Sequence, residues 1–399
     1  MTKHLLTLVW NRRRANALVV LEIFISFLVL FAAVTLGAYY ADNYRRPLGY
    51  SYENVWDISV GSLMEMISGD SAAEDKKNIT KRLLAALRDF PEIESSAGMD
   101  NPLFSIVSSN GAYHHQGRKT LASICAVTDG FQDVMRLELV RGRWFEAADD
   151  ALDWDPVVIN QRLADELFGL EDPLGKNIAD PKDKRQSRVV GIITEYRENG
   201  ELFEPENYVL TRRKLTGVAE DAMLHLVIRV RPGTPAAFEE QVMARLQATA
   251  RGTSFEIKPL GQVRASFMRF CMAPLLAIGV LAAFLMIMVS LGLVGVVWQN
   301  VTQRTTEIGL RRALGGTAHS IYSQVLGELL VISTVGLVLG TALVVQLPLL
   351  GVVTFLSTRV YLAGLGMSVF LIYALTLLCG LYPSWMATRV EPAQALHYE

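Results

Sequence analysis

Cysteine and histidine are scarce in this sequence. Three cysteines and six histidines occur among 399 residues. Cys271 and Cys379 lie in or next to apolar runs, so Cys125 stands alone in the charged middle of the chain and a disulfide framework there is excluded within one chain. No Cys or His spacing matches a zinc site, and we interpret the pair His114–His115 as part of a surface loop. We therefore expect no bound metal and no cofactor.

Catalytic motifs are also missing. The sequence contains no Gly-x-Ser-x-Gly, Ser-x-x-Lys or His-Glu-x-x-His pattern. A stretch from Gly169 is similar to a phosphate-binding loop, but five residues separate it from Gly175 instead of four, and Asn177 replaces the hydroxyl residue that binds magnesium. We interpret Pro173–Gly175 as a turn. The sequence predicts no catalytic residues, and any ATP would be bound by a partner.

Charge is nearly absent from 169 residues of the chain, which share 14 charged side chains. Residues 41–270, by contrast, hold 29 of the 38 Lys and Arg and 35 of the 40 Asp and Glu. No basic face stands out, which argues against nucleic-acid binding. This distribution predicts a water-facing domain inserted between membrane-spanning segments.

Four uncharged or nearly uncharged runs are long enough for helices that cross a bilayer. The predicted order is an N-terminal segment (1–16), a first span (17–40), an extracytoplasmic domain (41–270), a second span (271–298), a loop (299–328), a third span (329–350), a short outer loop (351–361), a fourth span (362–382) and a tail (383–399). The helix of the first span can reach Tyr44 before Pro47 ends it, and that of the second can extend back through Val263 and Phe267. The two would form a stalk.

Lys and Arg next to the spans predict the orientation. They collect before the first span, after the second and after the fourth, at Lys3, Arg12, Arg13, Arg14, Arg304, Arg311, Arg312 and Arg389. Because positive residues favour the cytoplasmic side, both termini and the loop 299–328 are expected in the cytoplasm. The protein would cross the membrane several times, with residues 41–270 outside the cytoplasm.

The extracytoplasmic domain shows a β-α-β pattern at each end. The elements are Val55–Val60, a helical pattern from Ile79 to Phe90, Ile93–Met99, His225–Val230, a helix opened by Thr234-Pro235, and Ser254–Pro259. Two such units predict a split ferredoxin-like α+β module, with halves at about 50–125 and 221–262. The strand-rich piece between them, about 126–220, is interpreted as an insertion with a short helix at Gln161–Phe168.

The loop after the second span carries the most specific motif. It reads Arg304-Thr-Thr-Glu307-Ile308-Gly309-Leu310-Arg311-Arg312-Ala313-Leu314-Gly315-Gly316, and a helix with a late Glu328 follows. The glycine pair ends one helix, and Thr317 can cap the next. The loop resembles that of the FtsX-like permease family, which reads Arg-x-x-Glu-Ile-Gly-x-x-Arg-Ala-Leu-Gly-Ala. Gly316 departs from the usual Ala.

The resemblance implies that this loop docks on an ATPase. The expected coupling residues are Arg304, Glu307, Ile308, Gly309, Leu310, Arg311, Arg312 and Gly315. The residues alone leave a second interpretation open, in which Arg311 and Arg312 are only anchors of the membrane topology.

Other segments resemble MacB-type permeases in the same order. They are Arg141–Phe145, Val157–Asn160, Leu167–Phe168, Asp172–Lys176, Val189–Ile192 and the tail Tyr382–Leu396. The resemblance implies a porter-like lobe with an inserted sabre-like lobe, and a permease subunit that couples ATP hydrolysis to movement of its periplasmic domain and to export of a substrate from the periplasm or outer leaflet. It also implies a multi-pass protein of the bacterial inner membrane with residues 41–270 in the periplasm. A second permease subunit, identical or related, and a space suited to a periplasmic adaptor and an outer-membrane channel are implied as well.

The expected ATPase is a separate subunit, because 16 residues precede the first span and MacB-type proteins carry their ATPase before it. The alternative is an FtsX-like regulator that passes the state of its ATPase to an envelope hydrolase without transport.

Two features lie inside the predicted spans. An ionised Glu22 that faced lipid would be energetically unfavourable. We therefore expect Glu22 to pair with another group, to line the interior of the helix bundle or to reach the cytoplasmic interface, and the alternative is a role in a proton relay. Gly336 and Gly340 allow close helix packing, either within the subunit or between subunits.

Overall fold

The structure is a computed structural model that describes residues 13–61, 78–182, 185–215, 223, 225–303, 317–353 and 355–387. The chain divides into Met1–Asp42 with Cys271–Glu399, the membrane unit, and Asn43–Phe270, the extramembrane unit. The helices are α1 (Arg13–Tyr44), α2 (Ile79–Arg88), α3 (Phe131–Met135), α4 (Gln161–Phe168), α5 (Phe238–Thr249), α6 (Leu260–Gln303), α7 (Ala318–Leu349) and α8 (Thr358–Ala387). The strands are β1 (Val55–Gly61), β2 (Ile93–Met99), β3 (Ser109–His115), β4 (Arg118–Val127), β5 (Leu139–Gly142), β6 (Asp155–Asn160), β7 (Ser187–Ile193), β8 (Tyr208–Arg212), β9 (His225–Val230) and β10 (Ser254–Pro259).

Four of the described helices are long and apolar enough to cross a membrane. The stretches are Ala17–Tyr44, Leu260–Gln299, Ser323–Leu349 and Thr358–Leu381. Each stretch overlaps one of the four predicted spans, whose bounds in the membrane stay a prediction. Helix α1 ends at Tyr44 as expected. Helix α6 begins at Leu260, before the predicted span, so the backward extension of this helix is confirmed. Helix α8 begins at Thr358, which makes the connection from α7 shorter than the predicted 351–361.

The strands β1, β2, β9 and β10 form the predicted split ferredoxin-like module. Their spatial order is β10-β1-β9-β2, and all neighbours are antiparallel. Helices α2 and α5 follow β1 and β9 and bury an apolar core that includes Ile58, Leu226 and Val242. The sequence pattern therefore identified this part of the fold correctly.

The other strands continue the same sheet in the order β2-β4-β8-β6-β7-β5, and β3 pairs with β4. Strand β2 joins β4 through the single residue pair Met99 and Val127. Strand β4 lies mostly within the predicted half 50–125 but pairs in parallel with β8 of the predicted insertion 126–220. The sheet runs on across this boundary, and the bounds of the two lobes stay a prediction.

Strand β9 is buried on both faces. Leu226 and Ile228 face the core beneath α2 and α5, whereas Val227 belongs to a second core that contains Phe131 and Tyr196. Because successive side chains of a strand alternate between faces, a strand covered on both sides can be apolar throughout. The second core positions the loop after β7, where Tyr196 lies.

Two local predictions have different outcomes. Pro173–Gly175 forms a turn, as expected. His114 and His115 are not in a loop: they end β3, and their rings lie 3.2 Å from the carboxylates of Asp180 and Glu171. The loop prediction was wrong because the hairpin turns only after these residues.

Candidate coupling site

The predicted ATPase-coupling residues lie outside the described part of the chain. They are Arg304, Glu307, Ile308, Gly309, Leu310, Arg311, Arg312 and Gly315. Of the residues that carry the family motif, Glu328 is described, and it is buried in α7. The coupling role of the loop stays a prediction.

Gly336 and Gly340 lie on the side of α7 that packs against α1. A Cβ added to Gly336 would be 2.9 Å from Cγ2 of Ile23, and one added to Gly340 would overlap the ring of Phe27. Ile23 and Phe27 are fully buried. Both glycines therefore make a contact within the subunit, one of the two roles that the sequence leaves open.

Glu22 lies on α1 and is half-buried. Its carboxylate lies against Gly292 of α6. A Cβ added to Gly292 would be only 2.6 Å from Oε2 of Glu22, so the absence of a side chain at Gly292 leaves room for the carboxylate. The side chain therefore contacts a neighbouring helix. This position agrees with a bundle-facing carboxylate, and the role of Glu22 stays a prediction.

A denser group of buried polar residues lies in the extramembrane unit. It comprises a linker, residues 45–54, which connects α1 to β1, and a junction loop, residues 195–203, which follows β7. Arg197, Glu198 and Glu201 of the junction loop are all less than a tenth exposed. Charged groups are rarely buried so completely unless they have partners.

Arg197 joins the junction loop to the end of α1. This side chain is 4% exposed and donates to the backbone carbonyls of Asn43 (3.1 Å) and Arg46 (2.8 Å) on one side. On the other side it donates to the carbonyls of Glu201 (2.8 Å) and Phe203 (2.5 Å). The last carbonyls of a helix have no hydrogen-bond partner within the helix. A cation near them also interacts favourably with the negative end of the helix dipole. Arg197 therefore caps α1.

The linker is fixed at further points. The backbone nitrogen of Arg197 donates to the carbonyl of Leu48 (3.1 Å), and the Tyr50 hydroxyl donates to the carbonyl of Arg197 (3.2 Å). Arg229 of β9, which is 2% exposed, donates to the carbonyl of Ser51 (2.9 Å). A segment tied at so many positions has little freedom to bend.

The junction loop also holds the start of α6, which follows β10 without an intervening residue. Arg264 donates from Nε to Oε1 of Glu201 at 2.5 Å. The rings of Phe203 and Phe267 stack with their centroids 5.9 Å apart. One loop therefore contacts α1 through Arg197 and α6 through Glu201 and Phe203.

Burial alters the ionisation of this site. It raises the pKa of Glu195, and it raises the pKa of Glu198 to about 7, although the neighbouring side chains of Tyr208 and Asn101 oppose the shift. Burial also raises the pKa of Tyr50 well above its ordinary value. The site thus combines fixed cations with a carboxyl group that titrates near neutrality.

The sequence carries no signal for this site. The run Glu195-Tyr-Arg-Glu-Asn-Gly-Glu201 has the composition of a solvated loop, and neither a motif nor a periodicity marks it. Its burial depends on contacts with residues about 150 positions away, such as Arg197 with Asn43. The only unusual feature of this run in the sequence is its high density of charged residues.

Two family models match the chain. The MacB-like periplasmic core domain matches residues 17–247, and the FtsX-like permease C-terminal matches residues 279–392. The first match includes α1 and the extramembrane strands through β9, and the second includes most of α6 to α8.

Individual proteins show the same similarity. The macrolide export ATP-binding/permease protein MacB of Neisseria gonorrhoeae is 27% identical over 243 residues, which are 60% of this chain and 37% of that protein. The uncharacterized ABC transporter permease YknZ of Bacillus subtilis is 23% identical over 323 residues, 78% of each chain. The crystal structure of the periplasmic region of MacB from Actinobacillus actinomycetemcomitans aligns with a TM-score of 0.39 at 17% identity, over 54% of this chain and 93% of that one.

The chain spans only part of its macrolide-export relatives, 37% of the Neisseria protein and 50% of a homologue from Aeromonas hydrophila. The periplasmic core match alone nevertheless covers more than half of the chain, and the FtsX-like match follows it in the family's order. The chain therefore belongs to the family of MacB-like permeases with an FtsX-like membrane domain.

Proposed function

We propose that this chain is the permease subunit of a MacB-type ABC transporter. Two permease subunits assemble with a separate ATPase, and ATP hydrolysis moves their periplasmic domains to export a substrate taken from the periplasm or the outer leaflet. The termini and the loop 299–328 lie in the cytoplasm. A periplasmic adaptor and an outer-membrane channel are further candidate partners.

The observation that supports mechanical transmission is that the connections between the helices and the sheet are short or held by hydrogen bonds. Helix α1 passes into β1 through the linker, which Arg197 and Arg229 hold by its carbonyls. Helix α6 continues directly from β10. A displacement of either helix would reach the strands instead of being absorbed in a loose connection.

The test makes the linker longer and more flexible. Gly-Gly-Ser is inserted after Arg46, and the matched control carries the same insertion after Gly117, in the open turn between β3 and β4. Both full-length variants are reconstituted with the ATPase in nanodiscs. A spin label on Leu170→Cys, a fully exposed position, reports the distance between two copies with and without a non-hydrolysable ATP analogue.

We expect nucleotide to change this distance in the unmodified chain and in the Gly117 control. The linker insertion should abolish the change while ATP hydrolysis continues. If the linker variant moves like the control, transmission through the linker is wrong.

The side from which substrate is taken needs a separate measurement. Compounds that stimulate ATP hydrolysis are offered to spheroplasts and to inverted membrane vesicles. Our proposal predicts ATP-dependent release of compounds offered at the periplasmic face. Capture from the cytoplasmic face would contradict it, and ATP-dependent activation of an envelope hydrolase without release would favour the regulatory alternative.

A further inference from the structure

Glu198 occupies a place in the junction loop that suits a neutral carboxyl group. It is 3% exposed, and neither carboxylate oxygen accepts a hydrogen bond of normal geometry from a described residue, although Tyr208 and Asn101 lie beside it. A carboxylate that loses its hydration without gaining partners is strongly disfavoured. The protonated form carries no such cost.

The groups around Glu198 do not supply a compensating charge. Those that face it are Tyr50 of the linker, Tyr196 of the junction loop, Cys125 of β4, Tyr208 of β8 and Glu206. Burial raises the pKa of Tyr50, Tyr196, Cys125 and Tyr208, so these groups stay neutral, and the nearby Glu206 raises the pKa of Glu198 further. The adjacent Arg197 directs its two terminal nitrogens, Nη1 and Nη2, to backbone carbonyls.

Glu198 is also directly connected to the clamp on α1, by which we mean the hydrogen bonds from Arg197 to the carbonyls of Asn43 and Arg46. It follows Arg197 in the chain, and its own carbonyl accepts a hydrogen bond from the backbone nitrogen of Phe104 at 2.8 Å. If its side chain moved out to water, the backbone on both sides would have to shift. Arg197 would then lose its position on the carbonyls of Asn43 and Arg46.

We propose that Glu198 is a proton-operated lock on the junction loop. When protonated, it stays among the tyrosines and Arg197 holds the end of α1; when ionised, it leaves this site and the linker is released. The consequence for transport rests on the proposed function, whereas the lock itself does not.

The direction of the pH effect follows from the raised pKa of Glu198, about 7 in the folded chain. Protection of the linker is complete below the ordinary carboxyl pKa of about 4.3 and is lost as pH rises through the folded value. Each pH unit between about 4.3 and 7 should weaken the lock by up to about tenfold, and little further change is expected above pH 7.

Hydrogen exchange on the purified full-length chain in nanodiscs tests the lock without an ATPase or a substrate. Peptides that cover the linker and the junction loop are followed from pH 5.5 to 8.5, with exchange times corrected for the intrinsic effect of pH. We expect protection of these peptides to fall roughly tenfold between pH 5.5 and pH 7 in the unmodified chain and to level off above pH 7. Glu198→Gln, which imitates the protonated form, should keep them protected at both pH values.

The matched control is Glu240→Gln, which removes an exposed carboxylate of α5 and should behave like the unmodified chain. Protection that does not change with pH in the unmodified chain would overturn the proposal, whatever the state of the variants. The same pH dependence in Glu198→Gln would also overturn it. Because no nucleotide is present, failure of the lock is distinguishable from failure of mechanical transmission.

Discussion

Gly49 and Glu195 lie in direct backbone contact. The φ angle of Gly49 is +86°, and a Cβ added there would overlap the carbonyl oxygen of Glu195. The backbone of the linker thus packs against that of the junction loop with no room for a Cβ, and a residue without a side chain is required at this position.

Gly49→Ala should therefore separate the linker from the junction loop. The matched control is Gly117→Ala, because Gly117 also has a positive φ, +81°, but open space where its Cβ would be. Each variant bears the cost of a left-handed alanine, about 1–2 kcal/mol, and Gly49→Ala adds the backbone overlap. We expect a clearly larger fall in the thermal unfolding midpoint of the full chain for Gly49→Ala. Equal effects would show that the contact with Glu195 is not tight.

Arg197→Lys should release the end of α1. A lysine keeps the charge but cannot reach carbonyls on two sides at once, and each buried carbonyl left without a partner costs about 1–3 kcal/mol. We expect a loss of roughly 3–5 kcal/mol and faster hydrogen exchange in the linker.

The control for this substitution is Arg212→Lys, because Arg212 is also buried but is held by the carboxylates of Asp129 and Asp150. Arg212→Lys should leave linker exchange unchanged. If the linker exchanged hydrogen as slowly in Arg197→Lys as in Arg212→Lys, Arg197 would not hold the linker in place.

Gly340→Ala should loosen the packing of α7 on α1, because the new methyl group meets the buried ring of Phe27. Gly366→Ala is the control, since a Cβ at residue 366 would meet nothing within 4 Å. We expect overpacking to cost about 1–3 kcal/mol, and the smaller side chain in Phe27→Leu should restore part of it. Thermal unfolding in detergent measures the stability, and native mass measures the subunit count. A lower subunit count at unchanged stability would instead place Gly340 between subunits.

Asp149 should stabilise the extramembrane unit in a pH-dependent way. Burial opposes its ionisation, but hydrogen bonds from Arg143 (2.6 and 2.9 Å) and the amide of Glu146 (2.9 Å) outweigh burial and lower the pKa of Asp149. A lowered carboxyl pKa gives stability that is present above the unfolded value of about 3.9 and is lost as pH falls through the folded value.

Asp149→Asn should cost about 1.5–3 kcal/mol at neutral pH and progressively less below about pH 4. Thermal midpoints between pH 2.5 and 7 measure the difference from the unmodified chain. Asp153→Asn, at an exposed position, is the control. A difference that stays constant with pH would assign the loss to packing instead of charge.

The predicted coupling loop is tested by charge reversal. Glu307→Lys, or Arg311→Glu together with Arg312→Glu, should weaken ATPase binding or uncouple hydrolysis from export. Removing one partner of a partly buried charged pair costs about 2–5 kcal/mol, whereas an exposed anchor charge contributes less than about 1 kcal/mol. Co-purification and ATPase assays follow a check of membrane level and topology. Normal binding and export in variants that insert correctly would leave these residues as anchors only.

Local periodicity was sufficient to predict several elements to the residue. Ile93–Met99, Gln161–Phe168 and His225–Val230 have the predicted bounds, because each is set by its own pattern of apolar side chains and flanking turn residues. The predicted start of α5 at Thr234-Pro235 was too early. The chain forms a turn there, and the helix begins at Phe238.

Long-range contacts could not be predicted in the same way. The parallel pairing of β4 with β8 joins residues that are more than 80 positions apart, as Ser123 and Tyr208 show, and no local pattern encodes it. The contact between Arg197 and Asn43 depends on the same kind of tertiary proximity. Nothing in the composition of the 195–201 run distinguishes a buried clamp from a surface loop.

The clamp on the linker recognises main chain, not side chains. Arg197 and Arg229 donate to carbonyl oxygens, which every amino acid provides. Linker side chains that lie outside the core can therefore vary in evolution wherever the backbone path is kept, whereas the two arginines, Gly49 and Tyr50 cannot. In an alignment of related permeases, we expect a variable segment between α1 and β1, held by invariant residues that lie far from it in the sequence.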